Sequence, residues 1–547
     1  MSFDEHARRA GPGAGAAERE AAAFVEEHVA VLAPLLRESN LAAWDAAVGE
    51  GEDAEERSAT TRAAVKRLYA DAAKAARVRG WLRSGEIRDP LLRRQLVLLD
   101  HEYTASQLPD EVIDDLIRRG AALEQVFYTF RSTFEGERVA NNVLLDVLRD
   151  ERDETRRRAA WEASKQIGRE VAEPLRELVR RRNAAARSLG FENFYLMELE
   201  LQELGEERLF GILDRLRTSS DDAFRGLRAE MDARLAERFG VAPEALRPWH
   251  WEDFFGQEAP SVSPVDLDGF FREQDIEAVA ADFFRGIGLP VDDVLARSDL
   301  YEREGKDQHA FCVDIDREGD VRTLCNLRPN EKWMSTLLHE LGHGAYDKLT
   351  PASLPYLLRT PAHTLSTESI AMFMGRLTRD PEWLRDVVGA RLDDHAAEDI
   401  TGQLRAAMLV AARWILVMVN FERELYRDPD RPDLNSLWWD LVEGIQFIRR
   451  PEGRDEPDWA AKIHFSTAPV YYHNYLLGEL MASQLTGYLR REVLRGQAGS
   501  LKGKTAAGAF LRERIFAPGA SLDWNELLVQ ATGEGLNPRY FVEQFVG

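Results

Sequence analysis

With 547 residues, 44% of them hydrophobic, the chain is long enough for one large helical body or for two or more domains. Its 71 Lys and Arg against 95 Asp and Glu leave a net charge of −24, which argues against nucleic acid and against an anionic membrane as partners. Residues 1–20 hold Arg8 and Arg9 with no apolar run behind them, so a secretory signal is not expected there. The Gly-Pro-Gly-Ala-Gly run reads as a disordered tail.

From 20 to 240 the spacing of apolar residues at three and four predicts consecutive helices, with breaks at Gly49-Glu50-Gly51, Asp89-Pro90, Gly120 and Gly190. The charged stretch 150–158 reads as a solvated helix start. Prolines and aromatics crowd 243–264, which predicts an ordered loop whose aromatics pack. A helix is expected over 267–287. Alternation then predicts two strands, 309–315 and 321–327, around a turn. Cys312 and Cys325 flank that turn; a bond between them is open, and two reduced thiols are the expectation. Further helices are expected at 331–348, 367–377, 397–426, 434–448 and 470–491. The apolar run 406–421 is short for a bilayer and is interrupted by Arg413, so it reads as a buried core helix. The fold class is all-α with a small antiparallel sheet.

The helix expected at 331–348 carries His339-Glu340-Leu341-Gly342-His343, an HExxH motif. Residues four apart share a helix face, so His339 and His343 can offer two imidazoles to one Zn²⁺. Glu340, beside them, is placed to take a proton from a zinc-activated water. Pro329-Asn330 is the start signal, and Trp333, Leu337, Leu338 and Leu341 form the apolar face. A catalytic zinc usually has three protein ligands. Glu368, in the first turn of the helix expected at 367–377, is the candidate third ligand, with His363 as its rival.

HExxH followed at this distance by a glutamate resembles the gluzincin oligopeptidases, both the thimet oligopeptidase/oligoendopeptidase F family and the angiotensin-converting enzyme family. Further segments carry the likeness: Trp161-Glu162 through Asn183-Ala184-Ala185 to Leu189-Gly190-Phe191, then His309-Ala310-Phe311-Cys312-Val313-Asp314, then Lys462-Ile463-His464 and Tyr471-Tyr472-His473-Asn474-Tyr475. The resemblance runs from 150 to 485 and implies one zinc peptidase domain over 21–547. Two lobes interleaved in sequence would enclose a deep cleft, with the small sheet near the active site.

The resemblance also implies roles. Tyr475 would donate to the oxyanion, with Tyr472 on the same helix face, and His464 would bind or protonate near the cleaved bond. His309 and Ala310 would lie on an edge strand that receives extended peptide. Lys462 resembles the lysine that binds a C-terminal carboxylate in dipeptide-releasing enzymes. Two expected partners are missing from the pattern. The aspartate that would orient a zinc histidine is replaced by Met372, leaving Asp347 as the candidate substitute. The glutamine expected beside Lys462 is not found, and Trp251 falls near its position.

These readings lead to a cytosolic zinc metallopeptidase acting on short peptides, with internal cleavage slightly favoured over release of C-terminal dipeptides. The rival from another class is a peptide-binding protein without catalysis. The sequence sets no oligomeric state.

Overall fold

The computed structural model describes residues 15–51, 53–260 and 265–546. Its first third is helical because side-chain caps and glycines punctuate an alanine- and leucine-rich chain. Asp71 accepts from the N–H groups of Ala73 and Lys74 to open the helix Ala72–Ser84. Asp89 accepts from Leu92 and Pro90 occupies the first turn of Pro90–Ala105. The first helix, Ala16–Val48, begins inside the range expected to be a tail, and the rest of that range, 1–14, lies outside the described residues. Gly49 ends this helix at φ 74. Gly120 does not break the chain: it sits inside Asp110–Thr129, where one glycine weakens a helix by only about 1 kcal/mol. The break comes later, at a hairpin the sequence reading missed, β1 (Ser132–Phe134) and β2 (Glu137–Val139).

The expected helix 267–287 is two pieces, a 3₁₀ turn Leu267–Phe270 and the helix Ile276–Gly286. Asp275 caps the second by accepting from Ala278 N–H at 3.0 Å. The strands are β3 (Phe311–Asp314) and β4 (Val321–Leu324), antiparallel, with Phe311 opposite Leu324 and Asp314 opposite Val321. Both are shorter than expected. His309 N–H donates to the Asp307 carboxylate at 3.0 Å, which bends the chain before the ladder begins. Beyond β4, Cys325 and Leu327 donate to the carbonyls of Asp299 and Leu300 instead of to β3. The helix expected at 434–448 ends early, in a π-helical turn closed by Phe447 at φ 58. Cys312 and Cys325 are free thiols.

The chain forms two compact units, each assembled from three segments. The first holds Met1–Gln107, Val265–Ala397 and Gly478–Asn537. Its apolar core brings Phe24, Leu32, Trp81, Leu96 and Leu99 together with Tyr356 and Leu357, and a smaller cluster seats Leu324 and Ile315 of the hairpin segment on Trp44 and Val48. The second unit holds Leu108–Pro264, Glu398–Leu477 and Pro538–Gly547. Phe134, Leu144, Val147, Ala160 and Ala163 pack in it, and Trp249 and Trp251 are buried, so the aromatics of the 243–264 loop serve packing. Among the described residues one helix, Asp394–Arg427, is long and apolar enough to cross a membrane, but 67% of its apolar window is buried. Arg413 within it is itself buried, paired with Asp221 and donating to Ser220 Oγ at 2.7 Å, as a core helix requires.

Candidate functional site

The motif helix, Glu331–Leu349, starts where Asn330 accepts from Trp333 N–H at 2.9 Å. The next helix, Thr364–Gly375, starts three residues earlier than the sequence predicts, capped by His363, whose Nδ1 accepts from Leu365 N–H at 2.9 Å. That use of His363 fixes it as a cap and removes it as a rival ligand. Two glycines bring the helices together. A Cβ on Gly342 would stand 2.9 Å from Ala371 Cα, and one on Gly375 would stand 3.2 Å from Ser335 O and 3.4 Å from His339 Cβ. Ser335 Oγ also donates to Gly375 O at 3.0 Å.

This close approach converges His339, His343 and Glu368. His339 Nε2 lies 3.7 Å from Glu368 Oε2 and His343 Nε2 lies 4.0 Å from Glu368 Oε1, and the three ligand atoms all fall within 4.8 Å of one another. Ligands bound to one tetrahedral zinc at about 2.0–2.2 Å stand about 3.4 Å apart, so a small closure of this set would hold the ion. Glu368 is in the second turn of its helix, not the first. The electrostatics fit a cation. Burial lowers the His339 imidazole to about 4, and burial with His339 lowers His343 to about 3, so both rings are neutral and offer lone pairs. Burial and then the Glu368 carboxylate raise Glu340 to about 8; burial and then Glu479 raise Glu368. Among the described residues neither Glu340 nor Glu368 pairs with Lys or Arg. The donor set and the uncompensated carboxylates fit zinc.

The far side of the set holds the residue that sequence reasoning missed. His343 Nδ1 lies 2.6 Å from Thr367 Oγ1. Asp347, the expected substitute orienter, is half-buried near Asp314 and Arg317, and burial, with Asp314 adding to it, raises its carboxyl to about 8. It does not serve His343. Met372 packs where a Cβ on Gly478 would come within 3.0 Å of its sulfur. Glu479 pairs with Arg376 at 2.9 Å.

His309 and Ala310 are not on the strand. They lie in the bend before β3, and the His309 side chain is 94% exposed.

The second unit gathers Lys462, His464, Tyr472 and Tyr475, and supplies the glutamine that the sequence reading missed. Lys462 Nζ donates to Gln257 Oε1 at 2.7 Å. The same ammonium stands 5.0 Å from the Trp414 ring, 5.3 Å from Phe255 and 5.8 Å from Tyr472. Trp251 is not its partner. Gln257 is delivered by a turn wound on the Asp253 carboxylate, which accepts the N–H groups of Phe255, Gln257 and Glu258. Burial lowers Lys462 to about 8, against the pull of Asp253 and Glu258, and among the described residues no carboxylate lies within ion-pair distance of it. Tyr472 is buried, its hydroxyl accepting from Trp414 Nε1 at 2.7 Å, while Tyr475 is 36% exposed. The His464 ring lies 5.0 Å from Tyr472, its Nδ1 is buried without a partner, and burial lowers it to about 4.

Two imidazoles and a general base on one helix, met by a glutamate from the next, define the gluzincin class of metallopeptidases, and the chain is an enzyme of that class. Two family models share it. Residues 295–547 match Peptidase family M3, and residues 15–242 match Angiotensin-converting enzyme; neither match spans half of the chain. No curated protein matches it.

Proposed function

We propose that this enzyme is a zinc peptidase that works from the C-terminus of short peptides and releases dipeptides. The single observation that carries the reading is the Lys462–Gln257 pair, a half-buried cation with an amide beside it and, among the described residues, no carboxylate within ion-pair distance. A peptide's terminal carboxylate is the ligand such a pair accommodates. The lean toward internal cleavage rested on the missing glutamine, and Gln257 removes that ground.

His339, His343 and Glu368 would hold the ion. When bound, zinc supplies a Lewis acid that acidifies water and polarises the scissile carbonyl. Glu340 takes the proton of the attacking water on its carboxylate and delivers it to the leaving nitrogen. By the resemblance, Tyr475 donates its hydroxyl to the oxyanion, with Tyr472 as the second candidate for that role, and Lys462 donates to the terminal carboxylate. His464, held neutral, contributes a hydrogen bond to the peptide. Among the described residues β3 has a strand neighbour, β4, on one side alone, and its other edge suits backbone pairing with an extended peptide. A cytosolic location belongs to the same reading.

The test is hydrolysis of a peptide ladder with free and amidated C-termini by the zinc-loaded protein, with Glu340→Gln beside it and metal measured on both. The expected outcome is dipeptide release from free termini only, and a Glu340→Gln protein that holds zinc without cleaving. Equal turnover of amidated peptides would return the choice to internal cleavage.

A further inference from the structure

Val470 is a buried β-branched residue at φ 52, a left-handed conformation that such side chains avoid. It lies two residues before Tyr472, and it explains why the helix expected from 470 starts only at His473. Strain of this kind persists only where neighbours over-determine it. Here two side chains grip the peptide groups of the strained residue. Its N–H donates to Glu422 Oε1 at 2.9 Å, and its carbonyl accepts from Gln202 Nε2 at 3.2 Å. Gln202 Oε1 in turn accepts from Asn474 Nδ2 at 3.1 Å and stands 3.1 Å from His473 Nε2. Upstream, Arg182 donates to Phe465 O at 3.1 Å and to Ser466 O at 2.7 Å. The segment that presents His464, Tyr472 and Tyr475 is therefore pinned before, at and after its strained residue, by residues that take no part in the proposed chemistry.

A polar core could need these bonds for stability alone. Two features point further. The gripping atoms converge on the one residue of the 464–475 segment whose φ is positive, and Glu422 is a buried carboxylate whose pKa burial raises to about 8, an expensive group to keep for a single N–H. We propose that Glu422 and Gln202 are positioning residues that lock Val470 in its left-handed conformation and thereby aim the hydroxyls of Tyr472 and Tyr475. The proposal rests on the roles given to those tyrosines under the proposed function.

Glycine adopts this φ without help. The experiment compares Glu422→Leu, Glu422→Gln and Gln202→Leu, each alone and with Val470→Gly, in the zinc-loaded full chain. Glu422→Leu and Gln202→Leu are expected to lower kcat/KM on a free-terminus peptide by about 10- to 100-fold. Glu422→Gln, which keeps the acceptor, stays within about threefold, and Val470→Gly recovers about tenfold in either leucine background. If Val470→Gly recovers nothing, or if Glu422→Gln falls as far as Glu422→Leu, the lock is overturned. Should Glu422→Leu not fold, the Gln202→Leu pair decides. ¹⁹F NMR of fluorotyrosine-labelled protein, with Tyr472 and Tyr475 assigned by Phe variants, reads the same comparison without turnover. Both resonances should shift in Gln202→Leu and return with Val470→Gly, and unmoved resonances overturn the proposal. A wild type that cleaves no free-terminus peptide counts against the proposed function, while the NMR comparison still judges the lock.

Discussion

Thr367 Oγ1 lies 2.6 Å from His343 Nδ1, one residue before the glutamate that faces the other nitrogen of the same ring. When a metal takes the Nε2 lone pair, Nδ1 carries the ring proton and donates it to this hydroxyl, so the threonine is placed to hold the ring's aim. A carboxylate more often does this work. A hydroxyl does it here without adding a third negative charge beside Glu340 and Glu368, which burial already makes costly. Thr367→Val keeps the shape and removes the acceptor. It should weaken zinc binding by about 10- to 100-fold in chelator competition, with Thr367→Ser close to wild type. Unchanged affinity in Thr367→Val would mean that the hydrogen bond does not orient the ring.

Gly342 puts two opposed effects on one position. Alanine in a helix interior gains about 1 kcal/mol over glycine, which argues for stabilisation. The added Cβ would stand 2.9 Å from Ala371 Cα and 3.2 Å from its nitrogen, and backbone cannot swing aside as a side chain can. Overpacking of this kind costs about 1–3 kcal/mol, so the steric effect wins. Gly342→Ala should lower the melting temperature of the metal-free protein and, by spreading the two ligand helices, weaken zinc binding as well. A rise in melting temperature with unchanged zinc affinity would show that the helices part freely.

Gln257 and Lys462 separate terminal recognition from chemistry. Gln257→Leu leaves Lys462 without its amide, and Lys462→Met removes the cation. Each should raise KM for peptides with a free C-terminus by about 10- to 100-fold, the range expected for a charge-assisted hydrogen bond worth roughly 1.5–3 kcal/mol, with a smaller change in kcat. Amidated peptides should respond to neither substitution. Steady-state kinetics on matched free and amidated pairs checks this, and equal losses on both members would place these residues outside terminal recognition.

What the sequence made legible follows the range of the forces involved. The motif helix was readable to within a residue, because its cap, apolar face and ligand spacing are all local. Glu368 was readable as the carboxylate that joins His339 and His343, although the first turn of its helix was not, since His363 as a cap breaks the usual preference for Ser, Thr, Asp or Asn. Gln257 was missed because its place is set by the Asp253 turn, which makes the loop fold back and changes the spacing that a linear comparison expects. Thr367 was missed because an aspartate was sought one turn after Glu368, while the bond comes from the residue before it. The strand was over-read by His309 and Ala310, since alternation does not reveal that Asp307 claims the first N–H. Val470 carries no local sign of its conformation: valine predicts extended or helical backbone, and only Glu422 and Gln202, 48 and 268 residues away, impose the left-handed one.

Glu422 also makes stability depend on pH in a definite direction. Burial raises its folded-state pKa to about 8 from an ordinary value of 4.5, against smaller downward pulls from the Val470 N–H and from Arg182. The folded protein therefore binds a proton that the unfolded chain has released between those values. Its contribution to stability is fully present below about 4.5 and is lost as pH rises through about 8. Glu422→Gln keeps the acceptor for Val470 and cannot ionise. Measured by urea unfolding of the metal-free proteins, the Gln variant should gain on wild type steadily from pH 5 to pH 8 and hold a constant advantage above pH 9. Metal-free protein is the right material, because zinc binding at His339, His343 and Glu368 has its own pH dependence and would mask the slope. Parallel stability profiles for the two proteins would show that Glu422 is ionised throughout and that Arg182 neutralises it. The grip on Val470 would then be made by a carboxylate anion.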